Sequence, residues 1–133
     1  MHIPDMQVLD SGRVAVGWLH RDHPFPHGEV SPEFIVHLKE LARRHYASAD
    51  ALDWGATGGC HTCELCDKVL GFGSFGVPAG DRLFYAPDMI AHYVEQHRYA
   101  PLAEFVAAVL ACPLPGTPEY ANAVRPFTEQ VAD

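Results

Sequence analysis

The chain has no apolar run longer than eight residues, Phe105 to Cys112. A membrane-spanning helix needs roughly 20, so none is expected. Met1 to Asp5 carry neither the basic nor the apolar stretch of a secretory signal, so the expected compartment is the cytosol. Basic residues are scarce: nine Lys and Arg stand against 17 Asp and Glu, a net charge of −8 over 133 residues. Only Arg43 and Arg44 are adjacent, and positions 101–133 hold Arg125 against Glu104, Glu119, Glu129 and Asp133. Phosphate neutralisation needs a basic stripe, so non-specific binding to nucleic acid is not expected. The acidic balance fits a basic protein partner better. There is no internal repeat, no low-complexity segment and no H-E-x-x-H of a zinc protease.

What remains reads as one globular unit. Apolar residues make up 48% and charged residues 20%, with 11 glycines and 11 prolines supplying turns. A chain of this length buries about two thirds of its unfolded surface, enough for one core without staples. The expected organisation is a single domain over 1–133. It has an N-terminal strand and helix (1–59), a metal knuckle, hairpin and helix (60–101), and C-terminal helices with a tail (102–133).

Arg13 to Leu19, rich in Val and aromatic residues, predicts a strand. Ser31-Pro32-Glu33 is a helix start, with Ser as N-cap and Pro in the first turn. Phe34, Ile35, Leu38, Leu41, Ala42 and His45 then form one apolar stripe at helical spacing, so a helix is expected from Pro32 to about Tyr46. Val69 to Val77 and Arg82 to Ala86, around Pro78-Ala-Gly-Asp81, predict a β-hairpin. Pro87-Asp88 reads as the opening of a second helix to about His97. A third is expected from Pro101, burying Leu102, Phe105, Val106, Val109 and Leu110, and a short fourth from Glu119 to Val124 before a polar tail. The fold class is therefore α+β: a small antiparallel sheet with a zinc knuckle, hairpin and helix, packed by two or three further helices.

The chemistry lies in four cysteines and nine histidines. Cys63 and Cys66 form a C-x2-C pair before the hairpin. His92 and His97 form H-x4-H on the helix after it. Two thiolates and two imidazoles satisfy a tetrahedral zinc ion, and the two-residue gap lets both sulfurs face it from one tight turn. Five residues rotate an α-helix by about 500°, which leaves the two rings about 140° apart. H-x4-H therefore requires a loosened last turn, and Tyr99-Ala100-Pro101 ends the helix at that place. A redox dithiol would sit at a helix N-terminus in a βαβ unit. Turns and strands surround Cys63 and Cys66 instead.

Alternatives stay open. His61 or Cys60 could replace one histidine as ligand, although Cys60 reads equally as a small apolar residue and His61 as a ring hydrogen-bonded beside the site. His20, His23 and His27, in a loop stiffened by Pro24 and Pro26, have a spacing that could hold a catalytic metal. The plainer reading is a solvated proline-rich loop. His37 and His45 read as helix-face residues, Cys112 as a small buried residue, and Trp18 and Trp54 as packing groups.

The run Gly59-Cys-His61-Thr-Cys63-Glu64-Leu-Cys66 has the form G-x-H-x-C-E-x-C. The run from Tyr85-Ala86-Pro87 through Ile90, His92, Tyr93, His97, Tyr99 and Pro101 to Phe105 has the form Y-A-P-x-x-I-x-H-Y-x-x-x-H-x-Y-x-P-x-x-x-F. Together these resemble a family of small, uncharacterised bacterial proteins of about this length. The likeness reaches back to Gly17-Trp18-Leu19 and Pro24-Phe25-Pro26, and departs at Ala100, where a second proline is expected. The knuckle, hairpin and helix order is similar to treble-clef and two-Cys, two-His finger domains. The resemblance implies a zinc-binding cytosolic protein and carries no activity. Two functions follow as expectations. The first is a small protein-interaction or regulatory module built on a structural zinc bound by Cys63, Cys66, His92 and His97. The second is a metal-dependent hydrolase or nuclease using His61 or the His20/His23/His27 loop. Against the second, no hairpin His pairs with a helical Asn and His in nuclease style.

Overall fold

The computed structural model describes residues 3–9, 12–47, 61–63, 65–71 and 73–128. The chain runs β1 (Arg13–Ala15), α1 (Pro32–Ala47), β2 (His61–Thr62), β3 (Leu70–Gly71), β4 (Ser74–Ala79), β5 (Arg82–Pro87), α2 (Ile90–His97), α3 (Ala103–Ala111) and α4 (Pro118–Thr128). Trp54, Cys60 and Glu64 lie outside the described residues, as do the side chains of His45 and His61.

The fold is α+β, but the main sheet is mixed rather than antiparallel. Its order is β1-β5-β4. The expected hairpin forms the antiparallel pair, with Ala79 opposite Arg82 across a two-residue turn. Gly80 takes φ +67° at the first turn position, where a type II′ turn needs glycine. The expected first strand instead joins β5 in parallel, Arg13 opposite Leu83. A parallel partner can come from far away in sequence, and hairpin signals do not reveal it. The strand is also shorter than expected, ending at Ala15.

Alternation along the strands splits the core into two layers. Val14, Val16, Phe75, Val77, Phe84 and Ala86 face one way and pack with Phe34, Leu38 and Leu41 of α1, Ile90 and Tyr93 of α2, and Phe105 and Val109 of α3. Ala15, Leu83 and Tyr85 face the other way, against Trp18 and Tyr120, Val124 and Phe127 of α4. Both faces of β5 are thus covered, which is why Leu83 to Ala86 is unbroken apolar sequence. Trp18 packs as expected, stacked on Tyr85 at 5.1 Å with its indole N–H donating to the Tyr85 carbonyl at 3.0 Å.

The helices follow their signals with three corrections. In α1 the cap is as expected, the Phe34 N–H donating to Ser31 Oγ at 3.2 Å. α2 starts at Ile90, because Pro87 is the last residue of β5, opposite Ser74. α3 starts at Ala103, and its buried face is Phe105, Ala108 and Val109; Leu102 and Leu110 are exposed. α4 extends to Thr128 instead of stopping at Val124. Pro126 lacks an N–H, which ordinarily ends a helix. Burial of Phe127 one residue later holds the last turn against the sheet.

Candidate metal centre

A second, two-stranded sheet carries the first half of the site. β2 pairs with β3 in antiparallel register, His61 opposite Gly71 and Thr62 opposite Leu70. The loop between them is the knuckle. The Cys63 N–H donates to the Val69 carbonyl at 2.8 Å, and the Asp67 N–H closes the turn onto the Cys63 carbonyl at 3.0 Å. Asp67 takes φ +60°, the left-handed conformation that reverses the chain after Cys66. The Leu65 N–H donates to Cys63 Sγ at 3.3 Å. The pair sits in turns rather than at a helix N-terminus, and both cysteines are free.

α2 carries the second half. The Arg98 N–H reaches back five residues to the Tyr93 carbonyl, and Arg98 itself takes φ +58°. A five-residue reach is a widened, π-like turn. This is the loosened last turn that H-x4-H requires, and it brings the His92 and His97 rings to 5.0 Å between centroids. Lys39 of α1 pairs with Glu95 at 2.7 Å, between the two histidines in sequence.

The two halves meet. Cys63 Sγ lies 3.7 Å from His97 Nε2, and Cys66 Sγ lies 3.4 Å from His92 Nε2. One ligand atom from each of the four residues falls within 4.8 Å of the others. A tetrahedral ion with metal–sulfur bonds of about 2.3 Å and metal–nitrogen bonds of about 2.0–2.1 Å sets sulfur and nitrogen about 3.5–3.6 Å apart. The donor set and its spacing therefore suit a tetrahedral ion, and the cluster can hold one. Cys63 is fully buried and the other three are half-buried.

Electrostatics oppose charge at Cys63 and His92. Burial pushes the Cys63 thiol up, while N–H donors from Leu65 and Cys66 pull the other way. Burial, and then the neighbouring His97, push His92 down, holding its imidazole in the neutral form that ligates. A bound cation would reverse the balance at the sulfurs and deprotonate them.

His20 and His23 stand 6.1 Å apart between ring centroids, His27 stacks on Phe25 at 4.3 Å, and the three form no metal grouping among the described residues. His37 is an exposed helix-face residue, its Nδ1 2.9 Å from the Glu33 carbonyl. Cys112 is half-buried, its thiol pushed up to about 12 by burial.

Gly71 escaped the sequence reading. A Cβ there would stand 2.5 Å from Met89 Cγ and 2.7 Å from Asp88 Oδ1. The bare backbone of β3 is what lets the knuckle close on the start of α2. The available signal was a glycine inside a strand pattern, which often marks close backbone approach. Gly71→Ala is expected to cost about 1–3 kcal/mol by overpacking. It should also weaken metal binding, read by competition with a chromophoric chelator. Unchanged stability and affinity would show that the contact does not position the knuckle.

The family model described as "Domain of unknown function (DUF7919)" matches residues 2–110, and the chain belongs to that family. The matched span holds all four cluster residues and stops short of α4. Comparison with curated proteins and with solved structures finds no match.

Proposed function

We propose that this member of the family is a zinc protein whose metal is structural, and that it serves as a small protein-interaction or regulatory module. The observation that carries the reading is the closeness of four zinc-type ligand atoms, two sulfurs and two nitrogens, within 4.8 Å of one another. Tetrahedral S2N2 sites suit zinc among the divalent ions. The knuckle, hairpin and helix follow one another in treble-clef order, which supports the same reading. Four protein ligands leave no coordination position for water or substrate, so the ion would hold the fold rather than activate a nucleophile. That sets the hydrolase reading second. A thiolate site also fits the reducing cytosol. The net charge of −8 favours a basic partner over nucleic acid.

Elemental analysis of the purified chain is the test, with about one zinc per chain expected. X-ray absorption at the zinc edge is expected to show two sulfur and two nitrogen neighbours. Cys63→Ser should abolish stoichiometric zinc, whereas Cys112→Ser should leave it. A metal-free native protein, or a Cys63–Cys66 disulfide in it, would overturn the proposal.

A further inference from the structure

A cleft of about 210 Å³ opens on the far side of β1 from β5, lined by Asp5, Leu19, Pro24, Phe25 and Pro26 together with the exposed His23. Both of its walls are pinned. On one side the Ile3 N–H donates to the Trp18 carbonyl at 3.2 Å and the Met6 N–H to the Ala15 carbonyl at 2.7 Å. On the other, the Ala100 N–H donates to the Pro26 carbonyl and the Gly28 N–H to the Arg98 carbonyl, each at 3.0 Å. The cleft is thus preformed, as ligand sites usually are.

The lining is largely apolar, and beside the exposed His23 it carries one carboxylate, Asp5. Asp5 Oδ1 accepts the Gly17 N–H at 3.0 Å, and Oδ2 accepts the Tyr99 hydroxyl at 2.6 Å. Both donors are neutral. Burial, and then the Asp5 charge, hold the Tyr99 phenol well above its ordinary range, so it stays a donor. The carboxylate is therefore oriented by two fixed hydrogen bonds, and among the described residues no Lys or Arg neutralises its charge. Each oxygen keeps lone-pair capacity for a further donor. A carboxylate so placed, beside proline and phenylalanine rings, is complementary to a cation carried on an apolar body.

We propose that this cleft binds a small organic amine, a primary ammonium on a short aromatic or apolar stem, with Asp5 as its counterion and Pro24, Phe25 and Pro26 covering the stem. The negative field of the whole chain adds to the attraction. None of Cys63, Cys66, His92 and His97 lines the cleft, so the inference stands apart from the zinc reading and can fail without it.

The probe is 2-phenylethylamine, titrated into the full chain as purified and followed by amide chemical shifts. Shifts are expected at Gly17, Leu19 and Phe25. The neutral isostere 2-phenylethanol should bind roughly tenfold more weakly or worse, the worth of one charged hydrogen bond. Asp5→Asn keeps an acceptor for Gly17 but removes the charge, and should abolish the preference for amine over alcohol. If that variant does not fold, the two probes on the unaltered chain still decide. Equal binding of amine and alcohol, or no shifts around the cleft at millimolar amine, would overturn the proposal. So would tighter binding of Nα-acetyl-lysine methylamide than of the aromatic amine, which would make the occupant a protein's lysine.

Discussion

If the centre holds zinc as proposed, stripping it with a strong chelator is expected to lower the midpoint of thermal unfolding by more than about 10 °C. At free metal a thousandfold above the dissociation constant, binding stabilises the folded chain by about 4 kcal/mol. Little regular secondary structure holds the knuckle. β2 and β3 pair over two residues each, and an isolated two-stranded hairpin is marginal in water. α2 has eight residues, too few to be helical alone. Its buried Ile90, Tyr93 and Val94 anchor it to the core, but His92 and His97 would lose the ion that joins them to the sulfurs. Hydrogen exchange should therefore rise first in residues 61–71 and in the last turn of α2, while α1 and α3 stay protected. The ligands must shed protons to bind, so acid should release the metal and loosen the same region. An apo chain with unchanged melting and native-like exchange would defeat the structural reading and shift weight to a catalytic metal.

Phe105→Ala should cost about 3–5 kcal/mol, a large part of the 5–15 kcal/mol typical of a domain. Phe105 is fully buried and meets two other rings edge-on, Phe84 of β5 at 5.5 Å and Phe34 of α1 at 6.2 Å. Truncation removes both contacts and opens a cavity where α1, α3 and the sheet converge. The lost volume cannot be refilled, because Leu38, Val77 and Val109 in the same core layer are already fully buried. The exposed Val36 of α1 is the control, and Val36→Ala should change stability by no more than about 0.5 kcal/mol. Denaturant unfolding measures both. Zinc stoichiometry should survive in folded Phe105→Ala, since no ligand lies on α3. A loss below ~1.5 kcal/mol would mean the three-ring junction relaxes and is not the centre of the core.

Local chemistry wrote much of this molecule in readable form. Ser31 and Pro32 mark the start of α1 because capping and proline geometry act over three or four residues. Phe34, Leu38 and Leu41 identify its buried face because helical period is a one-dimensional property. The spacing of Cys63, Cys66, His92 and His97 pointed to one centre because ligand geometry restricts which gaps can reach a single ion. It even required the widened turn that Arg98 and Tyr93 supply.

Contacts between distant segments decided the rest. That β1 lies parallel to β5 depends on a pairing some 70 residues apart, for which no turn residue leaves a trace. α4 outruns Pro126 because Phe127 finds the second face of a sheet that the local signal could not foresee. Gly71 matters only through Met89 and Asp88, which fold onto it from the far end of the hairpin. Asp5 meets Gly17 and Tyr99, 94 positions apart at the extreme, only once the N-terminal segment and the end of α2 lie side by side. Short-range preferences are set by covalent geometry and are legible along the chain. Burial, registry and the company that a charged group keeps are set by packing, and exist only after the chain has closed on itself.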